Sequence, residues 1–288
     1  MMLTAPPHLL LVHAHPDDES LCTGGTIARY AAAGVHVSLV TCTLGEEGEI
    51  IPGGLAGLAA DQADQLGGYR VGELRAACAA LGVNEHRYLG GIGRWRDSGM
   101  AGTPANEHPR AFVAGSVEEQ AAELAELLTE LQPQVVVTYG PDGGYGHPDH
   151  IRAHEITVAA CAADPDVDRV FYTVPSRTAV DGGVEGLRAM SGLPFRLPSP
   201  GELPGVEDDV ITTRVRVADQ EPAKVRALLA HATQVSVWRG EAGERAYALS
   251  NGIAQPLLDE ECYTLASGPA EGAEHDLFGG LPGPGGGE

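Results

Sequence analysis

The sequence predicts an α/β fold, Rossmann-like, with a mostly parallel sheet covered by helices on both faces and a smaller C-terminal α+β portion. Three observations carry that expectation. Leu9-Leu10-Leu11-Val12 and Val135-Val136-Val137 are unbroken apolar runs, as in strands buried on both faces, where parallel strands lie. Helical stretches separate such runs, which gives the strand–helix–strand order of a parallel sheet. Both runs end abruptly in His- and Asp-rich loops, and open α/β sheets bind ligands beyond the carboxyl ends of their strands.

The elements follow in order. After the first strand, Ser20 to Ala33 reads as a helix ended by Gly34, and Val35 to Cys42 as a second strand. No G-x-G-x-x-G stands at this first turn, which disfavours a dinucleotide site. Thr43 to Glu49 is an acidic loop at the carboxyl edge. Arg70 to Leu81 is a helix stopped by Gly82, and Arg87-Tyr88-Leu89 a short strand before the long Gly90–Met100 loop. Val117 to Leu131 is an amphipathic helix, and Pro133 separates it from the strand at Val135. Pro148 suits the first turn of a helix over Ile151 to Ala163, and Arg169 to Val174 is a further strand. Ser176 to Asp208, rich in Gly and Pro, reads as an insertion or lid. Ile211, Thr213, Val215 and Val217 alternate as a half-exposed strand, and Asp219 to Ala232 is a helix. Residues 1–175 are thus expected to form the catalytic domain, 176–278 to complete it, and 279–288 to be a disordered tail.

The 288 residues allow one large α/β domain or one domain with a smaller appendage, and 43% hydrophobic content is enough for a sizeable core. No apolar run reaches membrane-spanning length, and Met1–Pro7 lacks the basic start and apolar stretch of a signal peptide. A cytoplasmic protein is expected. The net charge of −22 argues against nucleic acid or an anionic membrane as partner. Cys22, Cys42, Cys78, Cys161 and Cys262 are scattered without a C-x-x-C pair, which excludes a zinc ribbon.

The chemistry concentrates in His13-Ala14-His15-Pro16-Asp17-Asp18-Glu19 and in Tyr145-Gly146-His147-Pro148-Asp149-His150. A structural turn would use Gly, Asn or Ser in place of imidazoles and carboxylates. If the two preceding strands are neighbours where the strand order reverses, the clusters share one crevice.

These two clusters resemble the signature of the LmbE/PIG-L family of metal-dependent N-acetylglucosaminyl deacetylases. The segments Thr41–Glu49, Asp64–Arg70, Gly93–Met100 and Ala230–Gln234 extend the resemblance over nearly the whole chain. Gly93–Met100 places it near the branch acting on N-acetylglucosaminyl-inositol in mycothiol biosynthesis. The resemblance implies Zn²⁺, or Fe²⁺, held by His15, Asp18 and His150, with Asp17 as base and His147 as partner acid. Two His and one carboxylate would leave open positions on the ion, as catalytic zinc requires.

Asp149 is then expected to fix the His147 tautomer, and Tyr145 to donate to the oxyanion or to pack. The alternative for Asp17 is a helix N-cap. His147 is expected to titrate near neutrality. Arg70 and Asp97 are candidates to grip sugar hydroxyls, with Glu49 and Arg94 next, and Met100 and Trp95 for an apolar wall. His13 reads as structural, and His231, on a helix, as structural or as a support behind the site residues. The expected partner is a small sugar–inositol. Rival readings are a mycothiol S-conjugate amidase, another N-acetyl-sugar deacetylase, and a non-catalytic Rossmann-like regulator.

Overall fold

The computed structural model of the chain describes residues 6–241 and 243–282. The first strand, β1 (His8–His13), is fully buried, and its alternating side chains explain the unbroken apolar run. Leu9 and Leu11 enter one core, and Leu10 and Val12 enter a second core on the opposite face.

Two short helices follow, α1 (Asp18–Cys22) and α2 (Gly24–Ala32), where a single helix was expected; Thr23 lies outside helical geometry with φ −136°. Then come β2 (His36–Thr41), α3 (Leu66–Leu81), β3 (Glu85–Tyr88), α4 (Val117–Leu131), β4 (Val135–Tyr139), α5 (Pro148–Ala162) and β5 (Arg169–Val174). The chain continues through α6 (Arg177–Arg188), β6 (Thr213–Arg216), α7 (Glu221–Ala230), β7 (Ser236–Arg239), β8 (Arg245–Ala248), β9 (Gln255–Pro256) and β10 (Glu260–Ser267).

The main sheet has the order β3-β2-β1-β4-β5-β10-β6. β3 to β5 run parallel, and β10 lies antiparallel to both β5 and β6. β1 and β4 are neighbours, with Leu9 opposite Val135, so strand order reverses between them. That reversal opens the crevice at their carboxyl ends. β7, β8 and β9 form a separate antiparallel sheet. No helix among the described residues is long and apolar enough to cross a membrane.

Two expectations need correction. The 176–208 stretch contains the helix α6, despite Gly182, Gly183 and Gly186. The tail expected from Gly279 is turn structure as far as Leu281, whose side chain packs on the core; residues 283–288 lie outside the described residues.

Arg169 shows what holds the C-terminal segment. It is fully buried, and its guanidinium donates to the carbonyls of Pro269 at 2.7 Å, Glu271 at 2.9 Å and Leu277 at 2.9 Å. Arg169→Leu strands those carbonyls, so unfolding should cost about 3 kcal/mol less, on the scale of lost charged hydrogen bonds. Arg169 opens β5 at the sheet edge opposite the crevice, so kcat should be unchanged. Urea unfolding beside an activity assay checks both, and an unaltered urea midpoint would contradict this role.

Candidate active site

The loop after β1 is held in an unusual shape. Asp17 has φ 109°, a left-handed value that a non-glycine residue keeps only when its surroundings impose it. It stands at the N-cap position of α1, but its carboxylate makes no capping bond. The N-cap alternative therefore fails. The carboxylate lies 3.2 Å from the Arg70 guanidinium, which also donates to the Pro16 and Gly45 carbonyls. A Cβ on Gly45 would sit 2.1 Å from Arg70 Nη1, so glycine there lets Arg70 pass beneath the loop. Burial pushes the Asp17 pKa up to about 6, Arg70 opposes the shift and Asp18 adds to it.

His15, Asp18 and His150 converge from the loop after β1, from α1 and from α5. His15 Nδ1 is 3.4 Å from Asp18 Oδ2, His150 Nε2 is 3.4 Å from the same oxygen, and the two nitrogens are 3.3 Å apart. A tetrahedron with zinc–ligand bonds of about 2.0–2.1 Å has edges of roughly 3.3–3.4 Å, so the three donors fit one face of a metal site. The opposite nitrogens are anchored. His150 Nδ1 donates to the Gly143 carbonyl at 3.1 Å, and His15 Nε2 donates to Asp149 at 3.2 Å. Both lone pairs therefore point into the triangle.

Asp149 does not hold His147 through its carboxylate. That carboxylate serves His15 and accepts the Ser98 amide at 2.9 Å. The backbone amide of Asp149 instead donates to His147 Nδ1 at 3.1 Å. This fixes the tautomer with its proton on Nε2. Nor does His147 titrate near neutrality: burial, then the neighbouring His15 and His150, push it down to about 3.

The substrate-binding expectations separate. A cavity of about 600 Å³ is lined by His15, Asp17, Asp18, Arg70, Asp97 and Met100 among others, with Tyr145, His147 and His150 also on its wall. Arg70 is there, but its hydrogen bonds go to the loop and to Asp17. Asp97 is buried beside the centre, 3.4 Å from His15 Nε2, and accepts the Gly99 amide at 2.8 Å. Glu49 is exposed and outside the cavity lining, where Glu47 stands instead. Arg94 is exposed too, paired with Glu119 and Glu123 and stacked on Trp95 4.4 Å from its ring centre. Trp95 is a core residue. Met100 and Tyr145 stand exposed at the mouth.

His13 faces away from the triangle, bonded to Tyr139 and Thr23, as expected of a structural histidine. The sequence reading missed the far wall, which Gln234, Tyr247, Asn251 and Gln255 supply from beyond residue 230. The Ala230–Gln234 segment was its only signal.

The family model described as PIG-L, GlcNAc-PI de-N-acetylase, matches residues 10–161. The chain belongs to the PIG-L family. Its 1D-myo-inositol 2-acetamido-2-deoxy-alpha-D-glucopyranoside deacetylase relative from Actinosynnema mirum is 70% identical, over 98% of this chain and 100% of the relative. The relative of the same name from Saccharopolyspora erythraea, numbered 1, is 64% identical, over 98% of this chain and 96% of the relative. Among solved structures, a deacetylase–teicoplanin complex gives a TM-score of 0.52 at 20% identity, covering 90% of this chain and 99% of that one. The 4-carboxy-2-hydroxymuconate hydratase from Pseudomonas putida also gives 0.52, at 18% identity over 79% of this chain and 80% of that one. A deacetylase and a hydratase at equal similarity show that these likenesses describe the fold alone.

Proposed function

We propose that this enzyme hydrolyses the acetamide of 1D-myo-inositol 2-acetamido-2-deoxy-alpha-D-glucopyranoside to acetate and the free amine, the mycothiol-pathway step. The observation that carries the reading is the set of relatives bearing that name, 70% and 64% identical over nearly the full chain. The site chemistry agrees with it. His15, Asp18 and His150 would hold a divalent ion, zinc or ferrous iron, since their nitrogen and carboxylate donors suit both. Once held, such an ion supplies Lewis acidity, acidifying water and polarising the acetamide carbonyl.

The protein's own groups do the rest. Asp17, outside the ligand triangle, takes the proton from the attacking water. The water oxygen bonds to the acetamide carbon, and negative charge moves onto the carbonyl oxygen. His147 offers its Nε2–H to that oxygen, and this stabilises charge as it develops. Asp17 then passes the proton to the amine nitrogen as the carbon–nitrogen bond breaks. Tyr145 lines the cavity at its mouth.

Measuring kcat/KM on the sugar–inositol, on free N-acetylglucosamine and on a mycothiol S-conjugate tests the assignment. The sugar–inositol is expected to exceed the monosaccharide by on the order of 10²-fold, because missing hydroxyls leave buried polar groups unpaired. If the thiol conjugate is cut fastest, the protein is the amidase and the deacetylase assignment is wrong.

A further inference from the structure

Glu19 and His231 are fully buried, lie beside the proposed base, and take no part in the mechanism above. We propose that they form a positioning pair that holds the Asp17 backbone in its left-handed conformation and so aims its carboxylate at the attacking water. The inference rests on Asp17 being the base.

Glu19 Oε2 accepts the Asp17 amide at 3.0 Å, two residues back along the chain. Its other oxygen, Oε1, accepts His231 Nε2 at 2.7 Å and the Ser20 hydroxyl at 2.5 Å. Every peptide group around Asp17 is held. The Pro16 carbonyl takes Arg70, the Asp17 amide takes Glu19, and the Asp17 carbonyl accepts the Ser20 and Leu21 amides at 2.9 Å each. A strained backbone of this kind costs about 1–3 kcal/mol and persists only where it is over-determined.

The far end of the pair is itself anchored. His231 stands just after α7, and the Thr233 amide and hydroxyl two residues on donate to Glu73 at 2.8 and 2.6 Å. Glu73 and Arg70 are three residues apart on α3, on one helix face. One rigid helix therefore holds the Asp17 carboxylate through Arg70 and the turn carrying His231 through Glu73. Packing alone does not account for His231: its Nδ1 is buried with no hydrogen-bond partner. An apolar side chain would avoid that cost, about 1–3 kcal/mol. What His231 contributes is the bond at Nε2.

The test compares Glu19→Ala, Glu19→Gln and His231→Leu with the wild type on the sugar–inositol, each loaded with Zn²⁺. Metal affinity is measured separately by competition with a chelator. Displacing a reacting group by about 1 Å costs on the order of 10²-fold, so Glu19→Ala should lose about that factor in kcat at unchanged KM and unchanged zinc affinity. Glu19→Gln keeps an acceptor for the Asp17 amide and should recover most of the loss. His231→Leu should lose roughly tenfold in kcat, again with zinc affinity intact. If Glu19→Ala does not fold, His231→Leu decides. Wild-type kcat in a folded His231→Leu protein overturns the proposal, as does a loss of zinc affinity that parallels the loss of kcat. An inactive wild-type enzyme would instead refute the substrate assignment, and the zinc titration separates the two failures.

Discussion

Asp17→Asn is expected to lower kcat by about 10³-fold, within the range for loss of a general base, while the protein still binds its metal in full. The geometry separates the two neighbours. Asp18 Oδ2 faces both His15 and His150, whereas the Asp17 carboxylate turns to Arg70. Asparagine matches aspartate in size, so the strained loop should persist and only the proton acceptor is lost. The wild-type pH profile follows from the same environment. Burial raises the Asp17 pKa to about 6 in the ion-free site, and a cation on Asp18 would draw it down. A protonated carboxyl cannot take a proton from water. Wild-type kcat/KM should therefore fall with acid through a limb at or below that value. Asp17→Asn should lack this limb. Zinc stoichiometry and a pH series on both proteins check the prediction, and a variant that keeps wild-type kcat would remove Asp17 from the mechanism.

The strands at the switch point were legible because burial on both faces demands continuous apolar residues. β4 begins at the expected Val135, and the amphipathic α4 has the expected boundaries. β10 was not, and the reason is local. It begins Glu260-Glu261, which looks solvent-facing. Glu261 is buried instead, accepting the Gly25 and Thr26 amides of α2 and pairing with Lys224 at 2.7 Å. α6 was hidden by its glycines, which weaken helix propensity. Gly183 is tolerated because a Cβ there would lie 2.6 Å from Pro256 on β9. The site divides similarly. Which residues would converge was readable from two motifs after two strands. Where each polar side chain points was not: Arg94 and Arg96, two residues apart, end on a surface pair with Glu119 and, from the buried Arg96, on a clamp to Glu47 and Asp64. Asp149 shows the same limit, since its amide and not its carboxylate reaches His147.

Dialysis against a chelator is expected to abolish deacetylation, and added Zn²⁺ or Fe²⁺ to restore it. His150→Ala should lose bound metal and activity together, because it removes one corner of the donor triangle. Two other sets of donors lie close enough to share an ion, His15 with His147 and His150, and His15 with Asp97 and Asp149; the latter lies on the other nitrogen of His15 and is a rival place for the ion. Asp149 Oδ2 already accepts the Ser98 amide, and both Asp97 oxygens accept amides, those of Gly99 and Glu47, whereas Asp149 Oδ1 is buried without a hydrogen-bond partner. That rival set also offers one nitrogen where the triangle offers two, each with its opposite ring nitrogen anchored. Asp149→Asn discriminates between them. If Asp149 only orients His15, the amide keeps an acceptor for Nε2–H, and zinc affinity should fall 10–100-fold with full stoichiometry recovered at excess metal. If the ion sits between Asp97 and Asp149, the same variant should lose its zinc outright, while His150→Ala keeps it. Metal content of the two variants after equilibration with excess zinc decides which side of His15 holds the ion.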